Sequence, residues 1–400
     1  MISGVAELIK ALSMFTAGKE RIARDDMSRI ERLYDYLEYT MGEKQVVARE
    51  GGVKWIESLA RNRYTNIYAV DSSSRVIDTP YVFVALGAST AVNRFIGYAR
   101  DYPDLNAVLG AKKGEKYKYI AIVPEVEKKQ AIKQYNAEEY GVITKNPAGY
   151  GYTPRYSKYV ILDELRLMLE NMILEEILNE DVHDSYVLID GPIYFTPPLV
   201  YQVNELHGVK DELLNKYVEG WQILVSKRIK LVEKLNRENN VAVLGIVKRL
   251  NRSIILSKTD PLRIGGRVND QVYMSILSSM LARRENANKP FYLGPITYDP
   301  GNTPIELPRK DLYYIALPRR REYTKGAIYP DYVYYRVEAI AGYKDLLEPV
   351  IYDSLHSGSL LPLSILLADS RAKKLSTALV NYLLRATGIP SEATHQYISL

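Results

Sequence analysis

The chain has 400 residues, 47% of them hydrophobic, and its 53 basic against 48 acidic side chains leave a formal net charge of +5. That length buries a substantial core in one large domain or in two or three smaller ones, and the mild basic excess permits a nucleic-acid partner without demanding one. With no cysteine there is no disulfide framework, no thiolate nucleophile and no cysteine zinc site; the histidines His183, His207, His356 and His395 are too scattered for a histidine-rich metal site, so carboxylates are the expected metal ligands.

Residues 1–45 set apolar side chains at helical spacing (Ile9, Leu12, Phe15, then Ile22, Ile30, Leu33 and Leu37), which predicts two amphipathic helices broken near Gly18. Residues 1–60 are read as a helical extension of the domain at 61–400. Glu7 and Lys10 interrupt the first apolar stretch and no basic leader precedes it. The longest apolar stretch, Leu360–Ala368, contains Pro362 and falls well short of the roughly 20 residues that cross a bilayer. A soluble cytoplasmic protein is expected, and its abundant charge of both signs resembles hyperthermophile usage.

Three strands are predicted in close succession, Asn66–Val70, Tyr81–Leu86 and Tyr117–Val123, and a polar, tyrosine-rich excursion follows between Pro124 and Pro154. Apolar residues at Val160, Leu165, Leu169, Ile173 and Ile177 then predict a helix from about Lys158 to Asn179. A strand ending at Asp190, a second long helix from about Val209 to Arg237, and the buried-strand pattern Val241–Val247 with Lys248 at its tip come next. Phe291–Thr297, Leu312–Leu317 and Tyr332–Ile340 read as later strands and Leu360–Leu384 as a final helix. Three strands in meander, helix, strand, helix, strand and a C-terminal helix is the order of a ribonuclease H-like α/β fold, a mixed sheet flanked by helices. In that fold the first and fourth strands are neighbours, which would bring Asp71 and Asp190 together.

Those two residues share a setting. Ile67-Tyr68-Ala69-Val70-Asp71 is followed by Ser72-Ser73-Ser74, and Tyr186-Val187-Leu188-Ile189-Asp190 by Gly191-Pro192, so each reads as a buried strand with a carboxylate at its tip. A lone aspartate after a strand usually begins a turn or caps a helix. Two on neighbouring strands make a hard, oxygen-rich site suited to Mg²⁺ or Mn²⁺, and such sites commonly act on phosphate esters. Two-metal hydrolysis, with ions roughly 4 Å apart, needs three or four converging carboxylates.

In order along the chain, Ala69-Val70-Asp71-Ser72-Ser73, Arg166-Leu167-Met168-Leu169-Glu170, Leu188-Ile189-Asp190-Gly191-Pro192, Leu244-Gly245-Ile246-Val247-Lys248 and the segment from Pro362 to Ala368-Asp369 resemble the NurA nucleases of archaea and some bacteria, over roughly residues 60–385. The resemblance implies a ribonuclease H-like core and manganese-dependent cleavage of DNA, with Mg²⁺ a possible substitute, including single-strand endonuclease and 5′ to 3′ exonuclease action. It also implies a homodimer and a HerA-type hexameric helicase as partner in DNA end resection, double-strand break repair and homologous recombination. It assigns Asp71, Glu170, Asp190 and Asp369 as metal-binding carboxylates, Lys248 in support. Glu164 is the next choice on the helix, and Lys248 can equally be a solvated end-of-strand lysine. The C-terminal piece departs from the family pattern: Leu361 and Asp369 stand where tyrosine and histidine are usual. Aspartate can replace histidine as a ligand, but leucine brings no hydroxyl, which motivates the alternative of a non-catalytic DNA-binding or scaffold subunit of a helicase complex.

Arg319-Arg320-Arg321, Arg309-Lys310, Arg283-Arg284 and the pair Arg263 and Arg267 are candidates for guiding DNA. Tyr150 and Tyr152 either stack on unpaired bases or pack locally. Gly110-Ala111-Lys112-Lys113-Gly114 lacks the spacing of a phosphate-binding loop and no Gly-x-Ser-x-Gly elbow occurs, which disfavours an ATPase or a serine hydrolase.

Overall fold

The computed structural model describes residues 39–40, 46–56, 63–78, 82–108, 118–124, 141–180, 182–195, 212–259, 268–285, 289–301, 305–319, 331–340 and 347–387. The helices expected within residues 1–45 fall outside these, except for Tyr39 and Thr40, which are strand. In chain order the elements are β1 (Tyr39–Thr40), β2 (Val46–Trp55), β3 (Ile67–Asp78), β4 (Val82–Asn93), β5 (Tyr98–Tyr102), β6 (Ile120–Pro124), β7 (Val142–Ile143), α1 (Lys158–Asn179), β8 (Tyr186–Asp190), α2 (Glu212–Asn239), β9 (Ala242–Val247), α3 (Ile255–Thr259), α4 (Asp270–Glu285), β10 (Phe291–Tyr298), β11 (Lys310–Pro318), β12 (Tyr332–Ile340), α5 (Leu347–Leu355) and α6 (Leu363–Thr387). They fall into two units: one holds residues 1–63, 245–301 and 308–361, and the other 64–244, 302–307 and 362–400.

The second unit carries a mixed sheet. β3 lies between β8, its parallel neighbour, and β4, which runs antiparallel to it; β6 follows β4 and β7 follows β6. Ile67, Tyr68, Ala69 and Val70 are all buried, as a strand covered on both faces requires. The side chains alternate between the faces. Ile77 of β3 and Val84, Leu86 and Ala88 of β4 pack against Leu375, Leu379 and Val380 of α6. On the other face Gly87 meets α1: a Cβ there would stand 2.4 Å from Leu169 Cδ1 and 3.0 Å from Leu165 Cγ, so only glycine lets helix and strand approach this closely.

α1 has the expected bounds, and Val160, Leu165, Leu169, Ile173 and Ile177 are buried. Its N-cap is Ser157, whose side chain accepts from Val160 N. β3, however, does not stop at Asp71. It continues to Asp78, with Ser72, Ser73 and Ser74 paired to Ser89, Ala88 and Gly87. The serines that signalled a turn instead suit a crowded strand: small side chains sit on both partners, and Ser73 and Ser89 hydroxyls bond within the core. Within the excursion between Pro124 and Pro154, the Asn146 side-chain oxygen accepts from Ala148 N and Tyr150 N and shapes the turn.

In the first unit β2, β10, β11 and β12 form antiparallel pairs in that order, and β12 pairs with Gly245, Ile246 and Val247 of β9. Its core joins Tyr273, Met274, Leu277 and Leu281 of α4 to Phe291, Leu293, Leu312 and Tyr314 of the sheet. Asp270, Arg336, Glu338 and Lys310 are buried together in three ion pairs, with Lys310 Nζ 2.6 Å from Glu338 Oε2, Arg336 Nη2 2.8 Å from Glu338 Oε1 and Arg336 Nη1 3.4 Å from Asp270 Oδ2. No described helix is long and apolar enough to cross a membrane.

Candidate metal centre

The pairing of β3 with β8 ends at Val70 opposite Ile189. One further step along both strands reaches Asp71 and Asp190, which in a parallel register point to the same face. That face is the one α6 covers, and α6 brings the third carboxylate. Ser376 Oγ donates to Ser73 Oγ at 3.1 Å. Asp369 lies seven residues before Ser376, hence on the same side of the helix, and Ser73 lies two after Asp71, hence on the same side of the strand. Arg371 fixes α6 a second time through two bonds to Asp101 of β5, at 2.7 and 2.6 Å.

Asp71, Asp190 and Asp369 each offer a carboxylate oxygen, and these three atoms lie within 4.8 Å of one another. Asp71 is 2% exposed; the other two are half-buried. Burial, followed by the charges of Asp190 and then Glu170, pushes the Asp71 carboxyl up to about 8, against the opposing pull of Arg166 and a hydrogen bond from the Ser72 backbone. Lys373 Nζ pairs with Asp369 Oδ2 at 2.9 Å, and three converging oxygens of hard carboxylate character, one of them held above its ordinary range chiefly by burial, fit a divalent cation of the Mg²⁺ or Mn²⁺ class.

Glu170 stands on the α1 side. Ser72, whose side chain alternates away from that of Asp71, donates its hydroxyl to Glu170 Oε1 at 2.5 Å, and Arg228 Nη2 donates to Oε2 at 2.7 Å. Both oxygens are thus engaged, and Glu170 acts on Asp71 through its charge. Glu164, six residues earlier and therefore turned about a third of a circle away on the helix, accepts from Tyr152 and Tyr156 hydroxyls at 2.8 and 2.6 Å and is pushed up to about 7 by burial. Lys248 directly follows β9 and belongs to the first unit, whereas Asp71, Glu170, Asp190 and Asp369 all belong to the second.

Two functional candidates escaped the sequence reading. Arg166 opens the segment that ends at Glu170; its Nε is buried with no hydrogen-bond acceptor, and its charge acts on both Asp71 and Asp163. Arg228 is 1% exposed. The signal for it was present: Trp221, Leu224, Val225, Leu231, Val232 and Leu235 form the buried stripe of α2, and position 228 continues that stripe with a cation where an apolar residue is expected.

Of the basic candidates for DNA contact, Lys310 is excluded, because it is buried against Glu338. Arg309 pairs with Asp299 and Arg319 with Asp331; Arg263, Arg267, Arg320 and Arg321 lie outside the described residues. Tyr152 is a packing residue, buried with its hydroxyl on Glu164, and Tyr150 donates to Glu219 Oε2 at 2.6 Å.

The family model described as NurA domain matches residues 65–373. Similar solved structures include the NurA nuclease from Sulfolobus solfataricus, 13% identical with a TM-score of 0.45, over 97% of this chain and 98% of that one. A NurA structure with manganese is 11% identical with a TM-score of 0.48, over 95% and 98% of the two chains. A NurA structure bound to dAMP and manganese is 11% identical with a TM-score of 0.38, over 79% and 86%. No curated protein matches the chain.

Proposed function

The chain belongs to the NurA domain family, and from that premise we propose that it is a metal-dependent deoxyribonuclease that hydrolyses phosphodiester bonds at Asp71, Asp190 and Asp369. The observation that carries the reading is the convergence of their three carboxylate oxygens within 4.8 Å. These aspartates would hold Mn²⁺, or Mg²⁺ in its place, with Glu170 as the fourth carboxylate of the neighbourhood and Lys248 as electrostatic support. A divalent ion there supplies Lewis-acid activation of the phosphoryl group and of the attacking water.

The protein's own groups set the rest. Asp71, buried in the middle of β3, is the fixed ligand; Asp190 and Asp369 are half-buried and leave an approach for the substrate. Because burial pushes the Asp71 carboxyl up to about 8, ligation at neutral pH requires it to give up its proton, so metal uptake is expected to release acid.

The parallel pairing of β3 with β8 supports reading the sheet as ribonuclease H-like. The family resemblance supports a single-strand endonuclease and 5′ to 3′ exonuclease that works as a homodimer with a HerA-type helicase in DNA end resection. The test is cleavage of 5′- and 3′-labelled single- and double-stranded DNA with Mn²⁺, Mg²⁺ or chelator, comparing wild type with Asp190→Asn. Metal-dependent cutting lost in a folded variant is expected. Cutting by Asp190→Asn at the wild-type rate, or cutting that survives chelator, overturns the proposal, and DNA binding without cutting by wild type favours the scaffold alternative.

A further inference from the structure

A single buried guanidinium touches the surroundings of two of the three aspartates. Arg228 Nη2 donates to Glu170 Oε2 at 2.7 Å, and Glu170 in turn accepts from Ser72, the neighbour of Asp71 on β3. Arg228 Nη1 donates to the carbonyl of Ile193 at 3.3 Å, three residues after Asp190 in the turn that leaves β8. Arg228 Nε donates to Asn171 Oδ1 at 2.6 Å, and the Asn171 amide donates back to the Leu224 carbonyl on α2, at 3.0 Å. The planar fork of arginine is suited to this, since its donors diverge in fixed directions. Residues 71 and 190 carry their carboxylates at the point where two strands cease to pair, so the backbone ladder alone does not fix their separation beyond Val70 and Ile189.

We propose that Arg228 is a positioning residue of the metal centre, setting the spacing of Asp71 and Asp190 by tying Ser72 through Glu170, and the turn after Asp190 through Ile193, to one rigid group. The proposal rests on the metal-dependent reading above. Arg228 itself contacts neither metal nor substrate. Its effect is of the kind outer partners exert on ligands, where loss typically weakens metal affinity about 10- to 100-fold.

The test is Mn²⁺ affinity of the intact protein, read by the loss of free-ion electron paramagnetic resonance signal at pH 8, together with the Mn²⁺ concentration that half-activates DNA cleavage. Arg228→Lys keeps a positive charge beside Glu170 but cannot reach three acceptors at once. Ser72→Ala keeps the Glu170–Arg228 pair and cuts only its link to β3, and it serves as the test should the lysine variant fail to fold. At least a tenfold rise in the Mn²⁺ dissociation constant is expected for Arg228→Lys and a several-fold rise for Ser72→Ala. The half-activating Mn²⁺ concentration should move in parallel, with cleavage at saturating Mn²⁺ recovering most of the wild-type rate. A purely structural role would shift the melting temperature and leave the Mn²⁺ affinity of the folded protein unmoved; that result overturns the inference while the nuclease reading stands. Wild type that takes up no Mn²⁺ overturns both.

Discussion

Replacing Asp71 by asparagine should stabilise the metal-free protein while abolishing its activity, and the size of the gain should depend on pH. Asp71 is 2% exposed, and its carboxyl is pushed from an ordinary 3.8 to about 8. A folded-state value above the unfolded one means that the contribution to stability is fully present below 3.8 and is lost as pH rises through 8. At pH 7 the folded protein still holds this proton, and the unfolded chain has released it. Three pH units at about 1.4 kcal/mol each make the wild type roughly 4 kcal/mol less stable than in acid on account of this one group. Asp71→Asn keeps the shape and cannot ionise, so its stability should lack that slope. Urea unfolding of both proteins in chelator between pH 5 and pH 8 measures it, and the gap should widen by up to about 1.4 kcal/mol per pH unit. Saturating Mn²⁺ should narrow the gap, because only wild type gains the binding free energy, about 2.7 kcal/mol at a hundredfold excess over the dissociation constant. Parallel pH profiles for the two proteins in chelator would refute the reasoning, since they would mean that Asp71 is not held protonated by its surroundings.

Glu164 offers the same sign without the metal: burial holds it at about 7 against an ordinary 4.5, so its contribution is complete below 4.5 and disappears above 7. Glu164→Gln should flatten this part of the profile, a change of about 3 kcal/mol between pH 4 and pH 8, with chemical denaturation as the readout. Gly87→Ala forces a methyl to within 2.4 Å of the buried Leu169 and should cost about 1–3 kcal/mol; a thermal midpoint equal to wild type would show that α1 yields freely. Lys310→Met leaves Glu338 buried with Arg336 as its remaining cation and should destabilise by about 3–5 kcal/mol. It should also leave the salt dependence of DNA binding unchanged, which separates a buried structural lysine from a phosphate contact.

Sequence patterning located helices with a regular apolar repeat and strands with a short, uninterrupted apolar run. α1 could be read because Leu165, Leu169, Ile173 and Ile177 recur at every fourth position behind a serine cap, and β8 and β9 because their apolar runs are short and uninterrupted. α4 could not, since buried residues occupy nearly every position from Tyr273 to Ala282 and leave no stripe to detect. The full length of β3 is hidden because three serines in a row signal a turn in isolation, and the small residues facing them on β4 let them stay in a strand. The convergence of Asp71 and Asp190 follows from element order. Where Glu170 sits does not, because helical spacing is silent on which face of a sheet the helix covers. The basic clusters were misleading for a related reason: counting arginines and lysines cannot tell Lys310, sealed against Glu338, from one that meets solvent.

Asp369 comes from α6, and its place depends on the docking of that helix against β3, β4 and β5 through its apolar side chains, Arg371 and Ser376. A polypeptide in which α6 has yet to be made therefore has two of the three aspartates and no means of assembling the third until that helix emerges and docks. On the proposed chemistry, hydrolysis is withheld from unfinished molecules, and products truncated before residue 369 are born inert. The same geometry offers a switch to the experimenter: severed upstream of α6, the protein should cut nucleic acid only when that helix is supplied as a separate peptide.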